Sequence, residues 1–209
     1  RNPKIGLPMN GGRNHDYIPA SKILIPVNKE NVAKYGIVAE RDMAKVADTI
    51  TLEIKDGSYL SKTDLLILDM ICNYQWERPI YFLQQGGDVN IGIKDYLQYD
   101  GLAYKFVPFR TKVAKGEITD QVDPRLYDRI MNVYKWESFA DPTMNVDYQN
   151  LLTFNNLLSP REVLTNCAKW LVANGEKEKA IEVLDKMQQI ISCNNFIRCN
   201  QGLIVLANR

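Results

Sequence analysis

Residues 49–83 read TITLEIKDGSYLSKTDLLILDMICNYQWERPIYFL. Ile50, Leu52 and Ile54 alternate with Thr51, Glu53 and Lys55, the period of two that marks a half-buried strand. Asp56-Gly57 then turns the chain. Ser61, with Asp64 three residues on, resembles a capping box and predicts a helix over 62–74. That segment is apolar almost all round, which predicts burial on most faces. The unbroken run Pro79-Ile80-Tyr81-Phe82-Leu83 predicts a strand covered on both faces. Strand, helix and strand in this order give the fold class: an α/β layer.

Working outward, residues 1–20 carry Pro3, Pro8, Gly11, Gly12 and Pro19 and read as an extended lead-in. Ile23 to Val27 is a short strand, with Pro26 placing it at an edge or an end. Asn28 caps a short helix through Tyr35, closed by Gly36, and Glu40 to Ala47 is a second short helix. On the other side, Ile93 to Tyr99 reads as a short helix and Leu102 to Phe109 as a strand. The succession predicts a mixed sheet with flanking helices and some parallel pairing. Residues 111–123 are loop-like. Asp123-Pro124 then starts a helix whose apolar stripe is Leu126, Ile130, Val133 and Tyr134. Three regions follow: the lead-in 1–20, an α/β domain 21–136, and a helical segment 137–209.

The helical segment has sharp local signals. Ser159-Pro160-Arg161-Glu162 predicts a capped helix start, with Leu164, Cys167, Ala168 and Leu171 as its stripe. Asn174-Gly175 breaks the helix, and Ala180, Leu184, Met187 and Ile191 line a second one. Small residues at Ala168 and Ala180 allow close helix approach, and residues 175–184 resemble the second half of a tetratricopeptide repeat. An ordinary helix pair has the same pattern. One such unit is below the roughly three repeats a solenoid needs, so it is expected to dock on the α/β part or to be the first of further repeats.

Composition narrows the function classes. Lys and Arg number 26 against 25 Asp and Glu, so no electrostatic case exists for nucleic acid. No stretch approaches the roughly 18 apolar residues of a spanning helix, and no signal peptide is visible. The chain opens at Arg1 without a methionine and reads as a piece of a longer protein. Cys72 and Cys167 sit in apolar helical patterns and read as core residues, whereas Cys193 and Cys199 read equally as a small disulfide or as thiols.

Candidates for chemistry are few. His15 is the sole histidine, which excludes a multi-histidine metal centre. Glu117, Asp120 and Asp123 form an acidic stretch without the spacing of a calcium loop. Gly86-Gly87-Asp88 reads as a turn, not a phosphate loop. No cofactor and no metal are expected, and no residue is assigned a catalytic role. Aromatic residues are more suggestive, because their faces stack on sugar rings as well as in cores. Trp76, Arg78, Tyr99, Asp100 and Tyr104 are the binding candidates. Arg78 has the fork to hold a carboxylate, and a structural ion pair with Asp69 or Asp100 is its favoured role.

Two blocks carry a family resemblance: Lys62 to Asn73 followed by Trp76-Glu77-Arg78-Pro79-Ile80-Tyr81-Phe82, and Tyr96 to Pro108 with its core Tyr99-Asp100-Gly101-Leu102-Ala103-Tyr104. They resemble the C-terminal water-soluble region of large multi-spanning bacterial membrane proteins of unknown function. That family is similar to the transmembrane-type protein O-mannosyltransferases. The resemblance spans roughly residues 20–190. It implies an N-terminal membrane domain of the same polypeptide as partner, with the chemistry in that part. This region would then sit on the extracytoplasmic, periplasmic face and hold an acceptor protein or glycan, or brace the transferase. A tetratricopeptide-type interaction module is the alternative, and a stand-alone hydrolase the remote third.

Overall fold

The computed structural model describes residues 6–8, 14–16, 21–54, 60–83, 91–111, 122–136 and 158–190. The expectations placed on Cys193, Cys199, Glu117, Asp120, Gly86-Gly87-Asp88 and Ile191 lie outside these residues. Helices and small antiparallel sheets make up the fold. Strands β1 (Gly6–Pro8) and β2 (Asn14–Asp16) pair antiparallel, as do β3 (Lys22–Pro26) and β4 (Thr49–Glu53). Strands β5 (Tyr81–Phe82), β6 (Leu97–Tyr99) and β7 (Tyr104–Phe106) form a third sheet in the order β5-β7-β6. The single mixed sheet of the sequence reading is therefore corrected to three small ones. An isolated bridge between Tyr99 and Val122 is parallel.

The chain divides into two compact units. The first comprises residues 1–97 and 106–110, the second 98–105 and 111–209. This division differs from the expected break at 136/137. Residues 98–105 form the tip of the β6–β7 hairpin, so the chain leaves one unit and returns to it.

In the first unit, Ile50 and Leu52 of β4 are buried while Thr49 and Glu53 face outward, as the alternation dictates. Helix α1 (Lys29–Lys34) is capped by Asn28, and a 3-10 turn covers Glu40–Lys45. Helix α2 (Lys62–Asn73) begins with the full reciprocal capping box of Ser61 and Asp64. Its burial is narrower than expected. Asp64, Leu68 and Ile71 form the inward stripe, while Leu66 is 69% exposed and Met70 43%. Cys72 is exposed too, not a core residue, because it falls one step off that stripe.

After α2 the backbone takes two consecutive left-handed residues, Gln75 (φ 52°) and Trp76 (φ 57°). Such conformations are held only when the surroundings over-determine them. Here Asn31 donates to the Gln75 carbonyl at 2.9 Å. The Trp76 indole donates to the Pro26 carbonyl at 3.0 Å and stacks on Phe106 at 5.4 Å. Tyr96 ends a 3-10 turn over Ile93–Tyr96, and its hydroxyl bridges the Thr51 amide and carbonyl. The predicted helix 93–99 is thus a 3-10 turn followed by strand β6.

In the second unit, α3 (Leu126–Asp128) runs directly into a π turn over Arg129–Val133. The wider turn is closed by the Tyr134 amide on the Arg129 carbonyl at 2.8 Å. Leu126 and Ile130 are buried as predicted, but the extra residue per turn rotates Val133 outward, to 60% exposed. Helix α4 (Leu158–Ala173) starts one residue before the expected cap, with Ser159 and Pro160 inside its first turn, where proline is tolerated. It packs on α5 (Lys177–Ile190). Gly175, at φ 82°, closes α4: its amide reaches the Val172 carbonyl at 3.0 Å and the Glu176 amide the Leu171 carbonyl at 2.9 Å. These are the two bonds of a Schellman cap. Val163, Leu164, Cys167, Ala168 and Leu171 meet Ala180, Val183 and Ile190, with Leu126, Ile130 and Trp136 in the same core.

Candidate functional site

The densest polar arrangement among the described residues lies in the second unit, around the hairpin tip and α3. Lys105 on β7 is 1% exposed, and its ammonium donates to Asp123 Oδ2. Asp123 is fully buried and also accepts from Arg125, by the backbone amide at 2.9 Å, Nε at 3.0 Å and Nη2 at 2.8 Å. It therefore sits in the turn ahead of α3, whose N-cap residue is Arg125 and not Asp123 as the sequence predicts, and it anchors an ion network. Burial pushes its carboxyl upward, but the Arg125 hydrogen bonds and the Lys105 charge outweigh this and hold it below the usual carboxylate range.

Arg129, first residue of the π turn, pairs through Nη1 with Asp100 and lies 3.9 Å from Asp123 Oδ2. The Tyr134 hydroxyl donates to the Asp100 carbonyl at 3.1 Å. The tip itself is closed by the Asp100 amide on the Ala103 carbonyl at 2.9 Å, with Gly101 at φ 89°. A Cβ at Gly101 would stand 2.7 Å from the Tyr134 hydroxyl and 3.0 Å from Leu126 Cδ1. The tip thus has room only for glycine, and it is fixed to α3 by ions, by hydrogen bonds and by contact.

Next to this fixed tip is an aromatic and polar face. The Tyr99 and Tyr104 rings are 5.3 Å apart and tilted by 56°. Both are half-buried. From α4, Asn166 donates a side-chain hydrogen bond to Tyr99, and the Glu162 carboxylate acts on both tyrosine hydroxyls. Burial first, and Glu162 second for Tyr104, raise these phenols above their ordinary range, so both keep their protons. Glu162 and Asn166 are four residues apart on one helix face, which is why both act on Tyr99.

Of the five sequence candidates, Tyr99, Asp100 and Tyr104 are brought together here. Trp76 and Arg78 belong to the first unit. Trp76 is buried with its ring against Phe106 and Tyr74, while Arg78 is exposed. The expected partnership of Arg78 with Asp100 is corrected: the cation on Asp100 is Arg129. Asp69 Oδ1 accepts instead from Asn73 at 3.1 Å. Sequence reasoning missed Lys105, Arg125, Arg129 and Asn166 as members, and read Glu162 only as a cap partner. A lysine in a strand otherwise made of Tyr104 and Phe106 is the one signal that could have flagged a buried pair. Among the described residues no group of acidic, cysteine or histidine side chains is placed to hold a metal ion, and no helix is long and apolar enough to cross a membrane.

Comparison with known proteins adds one relation. No curated protein and no solved structure matches the chain. The profile of the family described as TMEM260-associated domain 2 matches residues 1–126. That span contains both motif blocks, the hairpin tip with Tyr99, Asp100, Tyr104 and Lys105, and the Asp123–Arg125 anchor. Covering well over half of the 209 residues, the match establishes that this chain belongs to the TMEM260-associated domain 2 family.

Proposed function

We propose that the chain is an accessory domain of a membrane-embedded, glycosyltransferase-like protein. In this reading it holds the acceptor or braces the transferase on the extracytoplasmic face and performs no chemistry itself. The observation that supports it is the family match over residues 1–126, which spans both blocks resembling the soluble region of O-mannosyltransferase-like membrane proteins. The fixed hairpin tip suits the task, since a recognition surface must be held still before an acceptor arrives. The test is glycosyl transfer by the full-length protein in membranes. Variants of the tip are expected to weaken acceptor use while leaving hydrolysis of the donor intact. Unchanged acceptor use after removal of the whole domain would overturn the proposal.

A second reading, a tetratricopeptide-type interaction module, draws on Ala168 and Ala180, both buried where α4 and α5 meet, and on the outward Val172 and Ile181. Binding of a partner peptide that is lost on Val172→Asp or Ile181→Asp would favour it over the first.

A further inference from the structure

We infer that the π turn over Arg129–Val133 is a conformational latch on the hairpin tip. Its π register clamps the tip, an α register of the same segment releases it, and Trp136 and Lys186 decide between the two. The latch concerns how the tip is held, and it stands whether or not the tip meets an acceptor.

Both ends of the turn reach one residue. Arg129 pairs through Nη1 with the Asp100 carboxylate, and the Tyr134 hydroxyl donates to the Asp100 carbonyl at 3.1 Å. In a continuous α-helix, residues five apart point roughly 140° away from each other around the axis. One of the two would then turn off Asp100. Closing the turn from the Tyr134 amide to the Arg129 carbonyl, five residues back instead of four, brings them onto one side.

Side chains block the α register. It needs the Ile130 carbonyl for the Tyr134 amide and the Met131 carbonyl for the Lys135 amide. The Ile130 carbonyl already accepts from the buried Trp136 indole at 2.8 Å, and the Met131 carbonyl from Lys186 of α5 at 2.7 Å. Both acceptors that the α register competes for are therefore taken. The Trp136 ring also meets the Tyr134 ring edge-on at 5.6 Å, so it acts on the same tyrosine that bonds the tip. The two registers differ by a single residue, and either one gives the Tyr134 amide a backbone acceptor. Two side-chain hydrogen bonds, each worth up to about tenfold in an equilibrium, are then enough to choose. Passing to the α register carries Val133, now exposed, around the axis and takes Tyr134 off Asp100.

The experiment reads the register directly in the 209-residue chain. NMR coupling across the hydrogen bond identifies the acceptor of the Tyr134 amide. Hydrogen exchange of the Asp100 amide, which donates to the Ala103 carbonyl at 2.9 Å, reports on the tip. In the native chain the acceptor is expected to be Arg129. In Trp136→Phe/Lys186→Met it is expected to become Ile130, with Asp100 exchange about tenfold faster or more. Lys186→Met alone keeps the Trp136 ring and is expected to speed that exchange about threefold or more. Lys186→Arg, which keeps a donor, is expected to leave it unchanged. The single variant decides the matter if the double one fails to fold. Gly175→Ala, at the close of α4 and away from the turn, is expected to keep the Arg129 acceptor and to change Asp100 exchange by less than about twofold. Four results would each overturn the inference: Arg129 kept as acceptor in the double variant, Ile130 as acceptor with the tip exchange unchanged, unchanged exchange in Lys186→Met, or exchange as fast in Gly175→Ala as in Lys186→Met.

Discussion

Asp123 and Lys105 are 18 residues apart in sequence, and their side chains form an ion pair at 0% and 1% exposure. Two such charges are tolerable in the interior only as a pair, because either alone carries an uncompensated desolvation cost. Asp123→Ala is therefore expected to destabilise the second unit by about 3–5 kcal/mol. The double variant Lys105→Met/Asp123→Ala should be more stable than Asp123→Ala alone, since it leaves no orphaned ammonium. Urea unfolding of the wild type and the two variants measures both effects, and a double variant no better than the single would contradict the pairing.

The same carboxyl sets an acid limit. Asp123 has a folded-state pKa below its unfolded value, so its stabilising contribution is fully present above about pH 4–5 and is lost as pH falls through the lowered value. Thermal unfolding followed from pH 7 downward should show a fall in stability beginning below about pH 4. In Lys105→Met/Asp123→Leu that acid-dependent fall should be shallower.

Two glycines with similar backbone angles should behave differently. Gly101 (φ 89°) meets Tyr134 and Leu126 at 2.7 and 3.0 Å when a Cβ is added, while Gly175 (φ 82°) meets nothing within 4 Å. Gly175→Ala should cost only the left-handed penalty, about 1–2 kcal/mol. Gly101→Ala adds the clash to that penalty and should cost visibly more, with loss of the Tyr134 bond to Asp100. Equal costs in calorimetry would show that the tip is softer than described.

Thiol chemistry reports the burial pattern. Burial pushes the Cys167 thiol up to about 12, whereas Cys72 is exposed, its thiol raised chiefly by partial burial and then by Asp69. In a Cys193→Ser/Cys199→Ser background, a thiol reagent at pH 8 should modify Cys72 in the folded state. Cys167 should react only on unfolding. Mass spectrometry of the native and the urea-treated protein distinguishes the two.

Local features were legible in the sequence because they depend on neighbours a few residues apart. The alternation Ile50-Thr51-Leu52, the Ser61–Asp64 box and the Asn174-Gly175 stop all act within one turn or one strand, and each is found where it was read. Burial of α2 was overread, because apolar content says how much can be buried, not what is available to cover Leu66 and Met70. The π turn at Arg129 was invisible, since one extra residue per turn leaves no compositional mark, yet it decides that Val133 faces out. The candidate site was half legible. Tyr99, Asp100 and Tyr104 share one block and surfaced together. Arg129 and Asn166 join them only through long-range folding, and although Lys105 lies in the same block, charge identity alone gives no hint of which lysine is inside.

The excursion of residues 98–105 out of one unit and back has a consequence for genetic dissection. No single cut releases either half with all its parts. Severing the chain after Arg110 leaves a piece that holds Asp123 and Arg129 but has surrendered Lys105 and Asp100, while the other piece keeps those two without their counter-ions. Dissection by truncation would thus report failure for reasons unrelated to function. Excising or transplanting the eight-residue tip as a cassette is the manipulation that respects how this polypeptide is interleaved.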